Sequence, residues 1–581
     1  MEDESNLFKL RHSTAHLLAQ AVKELYPNVQ LGIGPVIDNG FYYDFLRKEP
    51  FTPEDLKVIK EKMKEISKKK FPIEKTKLKE NEIIEYLEKE SLKKELFNDL
   101  KEKGEEASFY SQGDFVDLCR GPHVENTKDI KYFELTKVSG AYWKADSKNV
   151  QLQRIYGIAF ETKEELKAHL TMMENAEKFN HRKIGEEMEL FTHFDKIGKG
   201  LIVWLPKGEI IKNEVETLAK ELEARDGYVR VSTPILAKKE LFEQSGHLPY
   251  YADSMYPPMK LDDGDYYLKA MNCPLHHLIF SRKVRSYREL PLRIAEYGTV
   301  HRNELSGTLN GLQRVRGMCM NDAHIYCTKD QMEEEIESVL KLIKEYFEIF
   351  GFKDYWFRLS LGDPNNKEKF IDEPENWKFA EEVLRKILKK TGIKFIEAEG
   401  EAAFYGPKID VQFRNIYGKE DTMSTNQLDF VAKSRFSLHY DDKEGKQNED
   451  VFVIHRAPLS THERFIAFLI EHYAGKFPLW LSPVQVRIMT VTDRNNDFAK
   501  DFVRKLKSHG IRADLDMRNE SIGKKVRDGI KQKVNYLLTL GDNEMENKTI
   551  SARGRDGNVE KDIPIDKFIE KLEKEIKERK C

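Results

Sequence analysis

The sequence predicts a multidomain α+β chain: an antiparallel sheet flanked by helices, preceded by an α+β module and followed by a smaller α/β domain. Three observations predict it. The 581 residues exceed what one hydrophobic core can serve and suggest three to five domains. Between Phe191 and Trp480, helical and strand-like segments alternate without a strict βαβ beat, as in an antiparallel sheet covered by helices. After Pro483 the beat turns regular: VQVRIMTV, a helix, GIRADLD, a helix and NYLLTLG read as βαβαβ.

Taken in order, residues 7–26, LFKLRHSTAHLLAQAVKELY, carry apolar side chains at helical spacing and predict an amphipathic helix. LGIGPVIDNGFYYDF has the glycines, proline and aromatics of sheet hairpins. Residues 52–104, dense in Lys and Glu with periodic Leu, Ile and Phe, predict solvated helices leaning on a sheet. Residues 107–159 read as strand-rich, and 161–190 as a helical connector. RVSTPI, DYYLKAM, LRIAEYGTVHR, DAHIYC, KIDVQFR, QLDFVA and DVFVIHR are the expected strands of the large domain. The expected domains are therefore 1–160, 161–190 (connector), 191–481 and 482–581.

Composition narrows the function classes. Apolar residues make up 40% and charged residues 34%, with a net charge of −3, so a nucleic-acid partner must meet local basic patches and not a global field. No run of 18 apolar residues occurs and the start, MEDESNLFKL, is polar, which argues against a membrane span or a targeting leader. Five cysteines (Cys119, Cys273, Cys319, Cys327, Cys581) make no disulfide framework and suit a reducing cytoplasm.

Neither a Walker loop nor a Rossmann fingerprint is present. HRNELSGTLNGLQRVRG, residues 301–317, instead sets Arg302, Glu304, Arg314 and Arg316 around a turn-prone loop, and HERF puts Arg464 near a helix start. Guanidinium forks suit phosphate and carboxylate, although arginines on loops are usually surface groups. MNCPLHH raises a metal question: by helical spacing Cys273 can pair with His276 or His277, and each histidine can equally be a partly buried residue satisfied by backbone. His12 and His16 share one helix face, and Cys119 and His123 follow as C-x3-H in DLCRGPH, a candidate four-ligand zinc set.

HRNE followed by RVRG resembles motif 2 of the class II aminoacyl-tRNA synthetases, HRAPLSTHERF resembles motif 3, and YVRVSTPILAKKELFEQSGH resembles motif 1, with Pro234 on the dimer-forming strand. The collinear run SGH, MNCP, SYRELPLRIAEYGTVHRNE, RVRG, NDAHIYC, AFYGPKID, NQLDF, IHRA and ERF is similar to the threonyl-tRNA synthetases over essentially the whole chain, without the small ubiquitin-like N-terminal domain that many members carry. The resemblance implies zinc held by Cys273, His324 and His455, with His276 and His277 outside the pattern. It implies L-threonine on the metal's open position, with Asp322 accepting its hydroxyl proton. ATP with Mg2+ would be held by Arg302 at the α-phosphate, by Arg314 and Arg464 at the outer phosphates, and by Glu304 at the adenine. Met318 stands where the family usually has Phe against adenine, Met320 replaces Gln, Ser460 replaces Gly and Ala270 replaces Pro. Tyr405, Lys408 and Gln427 match positions lining the threonine and adenylate pocket.

Serine carries the same amino and hydroxyl groups as threonine, and a missing methyl is worth only about 1–3 kcal/mol, so a second, hydrolytic site is expected. The N-terminal module resembles the editing domain of bacterial threonyl-tRNA synthetases; that implies a metal-free site of His12, His16, Cys119 and His123, with Asp117 nearby, acting on seryl-tRNA(Thr). DMRNESIGKKVRDGI and the segment through RGRDG resemble the anticodon-binding domain, with Asn519, Glu544 and Arg553 at base-reading positions; Lys524, Lys525 and Arg527 read as a solvated helix face that also meets phosphate. The expected protein is a cytoplasmic homodimer that binds tRNA(Thr) and no membrane. The rivals are a tRNA-binding or editing-only paralogue without aminoacylation, and a zinc hydrolase, which lacks the HExxH it would need.

Overall fold

Ser5 caps helix Asn6–Leu25, its hydroxyl accepting the Phe8 N–H at 3.2 Å. The helix is not amphipathic as expected: residues 13–22 are buried without a break. Its polar side chains bond inside the protein, Thr14 Oγ1 donating to Leu10 O at 2.6 Å and Gln20 Oε1 accepting from Gln112 Nε2 at 2.8 Å. Leu17, Leu18 and Val22 share a core with Phe41, Phe45 and Ile155. The computed structural model describes residues 5–38, 40–146 and 148–580, so Cys581 lies outside them, and it divides into the units Met1–Glu174 and Asn175–Cys581.

In the first unit, strands run antiparallel in the order 30–31, 40–46, 151–160, 132–142, with 36–37 closing the expected hairpin on 40–46. Helices Pro53–Lys68, Glu80–Lys89 and Ser91–Glu102 occupy the Lys/Glu-rich stretch. That stretch also hides a strand, Ile73–Thr76, which joins Phe109–Gln112 and Phe115–Leu118 in a second sheet. Only Ile73 of its four residues is buried, so no alternation marks it in sequence.

Two helices, Lys163–Phe179 and His181–Glu187, fill the stretch read as a connector. In the second unit an eight-stranded sheet follows in the order 229–230, 292–301, 317–327, 452–457, 420–429, 408–414, 355–360, 395–398. Its centre is antiparallel as expected, but both edge pairings are parallel. Parallel neighbours need a long crossover, and residues 231–291 and helix Pro374–Lys390 with its flanks supply them. Helices Met332–Ile349 and His462–Tyr473 cover one face, burying Ile336, Ile343, Phe465 and Leu469 against Ile325 and Ile454.

RVSTPI is a correction. The strand here is only Val229–Arg230, and Pro234 lies four residues beyond it, exposed. Pro234 has no N–H for a ladder, and Thr233 is held instead by the Glu296 carboxylate, which accepts its N–H at 2.7 Å. The last domain has strands 513–516, 486–490, 536–540, 549–554 and 559–564; the first three are parallel, as the βαβαβ reading requires, and two antiparallel strands extend them.

Candidate active site and metal centre

Strand register assembles the site. Opposed residues in neighbouring strands put their side chains on the same face. His324 pairs with His455, His455 with Gln427, and Gln427 with Lys408, one row across four strands drawn from 132 residues of unrelated-looking sequence. Asp322, two residues before His324, shares that face and accepts from Asn272 Nδ2 at 2.9 Å. Cys273, the first residue of helix Cys273–Ser281, brings its thiol to the row. The ligand atoms of Cys273, His324 and His455 lie within 4.8 Å of one another, all in buried residues. Tyr405 stacks on His455 with ring centroids 4.8 Å apart and donates to Gln427, while Lys408 Nζ meets Asp410 Oδ2 at 2.7 Å.

Side chains behind the triad set its tautomers. Asp429 Oδ2 lies 2.9 Å from His455 Nε2. Burial alone would raise Asp429, yet its bond to His455 holds it below the ordinary carboxylate range, so it is the acceptor and His455 Nε2–H the donor; in a neutral imidazole this leaves the Nδ1 lone pair for a metal. Glu296 Oε2 lies 3.1 Å from His276 Nε2, and His276 Nδ1 lies 2.8 Å from His324 Nδ1. With Glu296 accepting from His276 Nε2–H, His276 Nδ1 can accept from His324 Nδ1–H, which turns His324 Nε2 toward His455. His324 Nε2 and His455 Nδ1 lie 3.0 Å apart. Burial, then His455, depresses His324 strongly and keeps it neutral; burial, then Asp322 and Asp429, pushes the Cys273 thiol well up. Converging acceptors beside a thiol call for a cation, and one thiolate with two imidazoles is a donor set for zinc. A cavity of about 20 Å3 beside Cys273 and His455 has room for an ion or a water.

The Arg-rich loop joins strands Leu292–His301 and Gly317–Cys327, as expected. Arg302 makes one long bond, to Ala270 O at 3.5 Å, and no carboxylate pairs with it among the described residues. Arg464 donates to Gln313 O at 3.2 Å; burial, then Arg302, draws it below the ordinary arginine range, so the two guanidinia share an anion-starved field. Arg314 and Glu304 instead bond each other at 2.8 Å. Met318 is buried with Val300 and Val315.

In the first unit, His12 Nε2 and His123 Nε2 lie 3.2 and 3.3 Å from Cys119 Sγ, and the His16 ring centroid lies 4.4 Å from that of His123. Burial lifts the Cys119 thiol to about 12 and lowers His16 and His123, so these three are neutral. Asp117 stands behind it, its carboxylate taken by Tyr43 OH at 2.6 Å, Tyr86 OH at 2.9 Å and Lys93 Nζ at 2.6 Å.

A family model described as "tRNA synthetase class II core domain (G, H, P, S and T)" matches residues 258–473, an "Anticodon binding domain" matches 485–575, and a "Threonyl and Alanyl tRNA synthetase second additional domain" matches 107–156. The threonine–tRNA ligase of Geobacillus sp. (strain WCH70) is 48% identical over 571 residues, 98% of this chain and 88% of that one. The chain belongs to the threonine–tRNA ligase family. Threonine–tRNA ligase 1 of Bacillus subtilis (strain 168) is 47% identical over 99% of the chain and 89% of its own length. Among solved structures, the RNA-binding domain of threonyl-tRNA synthetase from Cryptosporidium parvum Iowa II gives a TM-score of 0.64 at 34% identity, covering 68% of this chain and 98% of its own. A putative threonyl-tRNA synthetase from Aeropyrum pernix gives 0.59 at 28%, covering 69% and 97%.

The sequence motifs pointed to Cys273, His324 and His455 but not to the side chains that orient them. His276, read as structural, contacts Glu296 and His324, and Asp429 contacts His455. The anticodon candidates are less tightly grouped. Asn519 is exposed after strand Ala513–Asp516, and Arg553 donates to Gly557 O at 2.9 Å. The Glu544 carboxylate accepts from Gly541 N and Ser551 Oγ, each at 3.0 Å, a helix-capping position that competes with base reading. No hydrogen bond or ion pair joins the three among the described residues.

Proposed function

We propose that the chain is a threonine–tRNA ligase that activates L-threonine with ATP·Mg2+ and transfers it to tRNA(Thr). The observation that carries this reading is the buried Cys273–His324–His455 triad, set in one cross-strand row with Gln427 and Lys408. Cys273, His324 and His455 would hold zinc, which would act as a Lewis acid toward the amino and hydroxyl groups of threonine. Asp322 accepts the hydroxyl proton's hydrogen bond, so valine, lacking it, strands a buried carboxylate and is rejected. Arg302 and Arg464 meet the phosphates where negative charge grows during in-line displacement, and Arg314 exchanges Glu304 for a phosphate while Glu304 turns to the adenine amino group. The threonine carboxylate attacks the α-phosphate already ionised and needs no base.

The N-terminal cluster edits. One imidazole takes the neutral Cys119 S–H, leaving the other to accept from a water directed at the ester of mischarged seryl-tRNA(Thr). Asn519, Glu544 and Arg553 read the anticodon, and the exposed Val229 and Ile235 beside Pro234 meet a second copy in a homodimer. Such a substrate places the work in the cytoplasm, and no described helix is long and apolar enough to cross a membrane.

Threonine-dependent ATP–pyrophosphate exchange tests the first claim: wild-type protein exchanges with threonine and not valine, and absence of exchange returns the chain to an editing-only role. A His12→Ala, His123→Ala chain that still deacylates seryl-tRNA(Thr) at the wild-type rate overturns the second.

A further inference from the structure

Strand Gly317–Cys327 has two faces. Met318, Asp322 and His324 serve the site above; Cys319 and Asn321 alternate to the other side. Helix Pro206–Arg225 lies along that side, because Glu223 accepts from Asn321 Nδ2 at 3.0 Å. Glu216, seven residues earlier, projects from the same helix face. There it meets Cys319 and His462, the first residue of helix His462–Tyr473, and the three ligand atoms lie within 4.8 Å of one another.

His462 is 2% exposed and neither ring nitrogen makes a hydrogen bond, while Nε2 lies 3.4 Å from Glu216 Oε1. Its ring lies flat on Tyr297, centroids 4.7 Å apart, so stacking accounts for its plane and leaves its nitrogens unexplained. The other Glu216 oxygen is taken by Lys220 at 2.8 Å, which leaves Oε1 facing the histidine. A buried imidazole whose nitrogens make no hydrogen bond, a carboxylate oxygen turned toward it and a half-buried thiol form the kind of gap an ion fills.

We infer that Glu216, Cys319 and His462 form a second metal site in the catalytic unit, selective for a borderline-soft divalent transition ion such as Zn2+. Thiolate and imidazole disfavour Mg2+ and Ca2+, and three protein ligands leave the fourth tetrahedral position to water. The ion ties helix 206–225 to strand 317–327 and to the start of helix 462–473, two residues before Arg464. This goes beyond the proposed ligase activity and does not rest on it.

The test uses full-length chain carrying Cys119→Ser and Cys273→Ser, which removes the thiols of the other two clusters. Titrated with Co2+, it should develop a thiolate-to-cobalt charge-transfer band at one ion per chain. Adding Cys319→Ser should abolish the band. A band that is missing from the double variant, or that survives Cys319→Ser, overturns the site. If the double variant does not fold, zinc content is counted on wild type and on His462→Ala after equilibration with excess zinc and desalting. The inference requires His462→Ala to hold one ion fewer per chain, and equal counts sink it.

Discussion

Asp429 shows how one side chain out of the ligand set governs it. Asp429→Asn keeps the shape but offers an amide N–H to His455 Nε2, which drives the proton to Nδ1, the nitrogen facing His324 and the one proposed to hold zinc. Zinc affinity should fall about 10–100-fold, measured by competition with a chromogenic chelator; an unchanged affinity would show that the carboxylate does not set the tautomer. Arg456 is a second case. It is fully buried, donates to Glu223 Oε1 at 2.7 Å and lies over the Tyr228 ring. Glu223→Ala leaves that guanidinium uncompensated and should cost about 3–5 kcal/mol in denaturant unfolding, against almost nothing for an exposed pair. Sequence displayed Cys273, His324 and His455 as chemically capable residues, and family resemblance selected them. It could not display Glu296, Asp429 or Glu223, because a carboxylate in a sequence looks the same whether it is solvated or aims an imidazole.

At the level of elements, helix His462–Tyr473 starts at Thr461, whose hydroxyl accepts the Arg464 N–H at 3.2 Å. Thr461→Ala should cost about 1 kcal/mol, read as a lowered unfolding midpoint. In the last domain, Asp516 is drawn below the ordinary carboxylate range, chiefly by its bonds to Arg518. A carboxylate depressed on folding contributes stability that is complete above its unfolded value of 3.8 and is lost as pH falls through the folded value. Arg518→Met should therefore lower the urea midpoint of this domain at neutral pH, with the gap from wild type closing as pH drops below 3.8. The βαβαβ rhythm here was legible because strands 486–490 and 536–540 are short, largely apolar runs set between amphipathic helices. Helix Asn6–Leu25 was legible as a helix and misread as amphipathic: its Ser, Thr, His and Gln side chains look solvent-facing until Gln112 and backbone carbonyls are seen to satisfy them.

At the scale of the molecule, the proposed zinc site predicts that the two units should respond differently to metal removal. A chelator such as phenanthroline should lower the thermal transition of residues 175–581, where the triad joins strands 317–327 and 452–457 to helix 273–281. It should leave the transition of residues 1–174 in place, since that cluster is read as metal-free. A downward shift in the N-terminal transition would put metal in the editing site as well. By itself the sequence determined the α+β class, the order of modules and the residue types able to hold metal and phosphate, because periodicity and motif spacing are local properties of the chain. Only the tertiary structure decided that His324, His455, Gln427 and Lys408 stand in one row, that Pro234 leaves its strand, and which carboxylates orient which imidazoles. Those outcomes depend on strand register and burial, and register is fixed by pairings between segments distant in sequence.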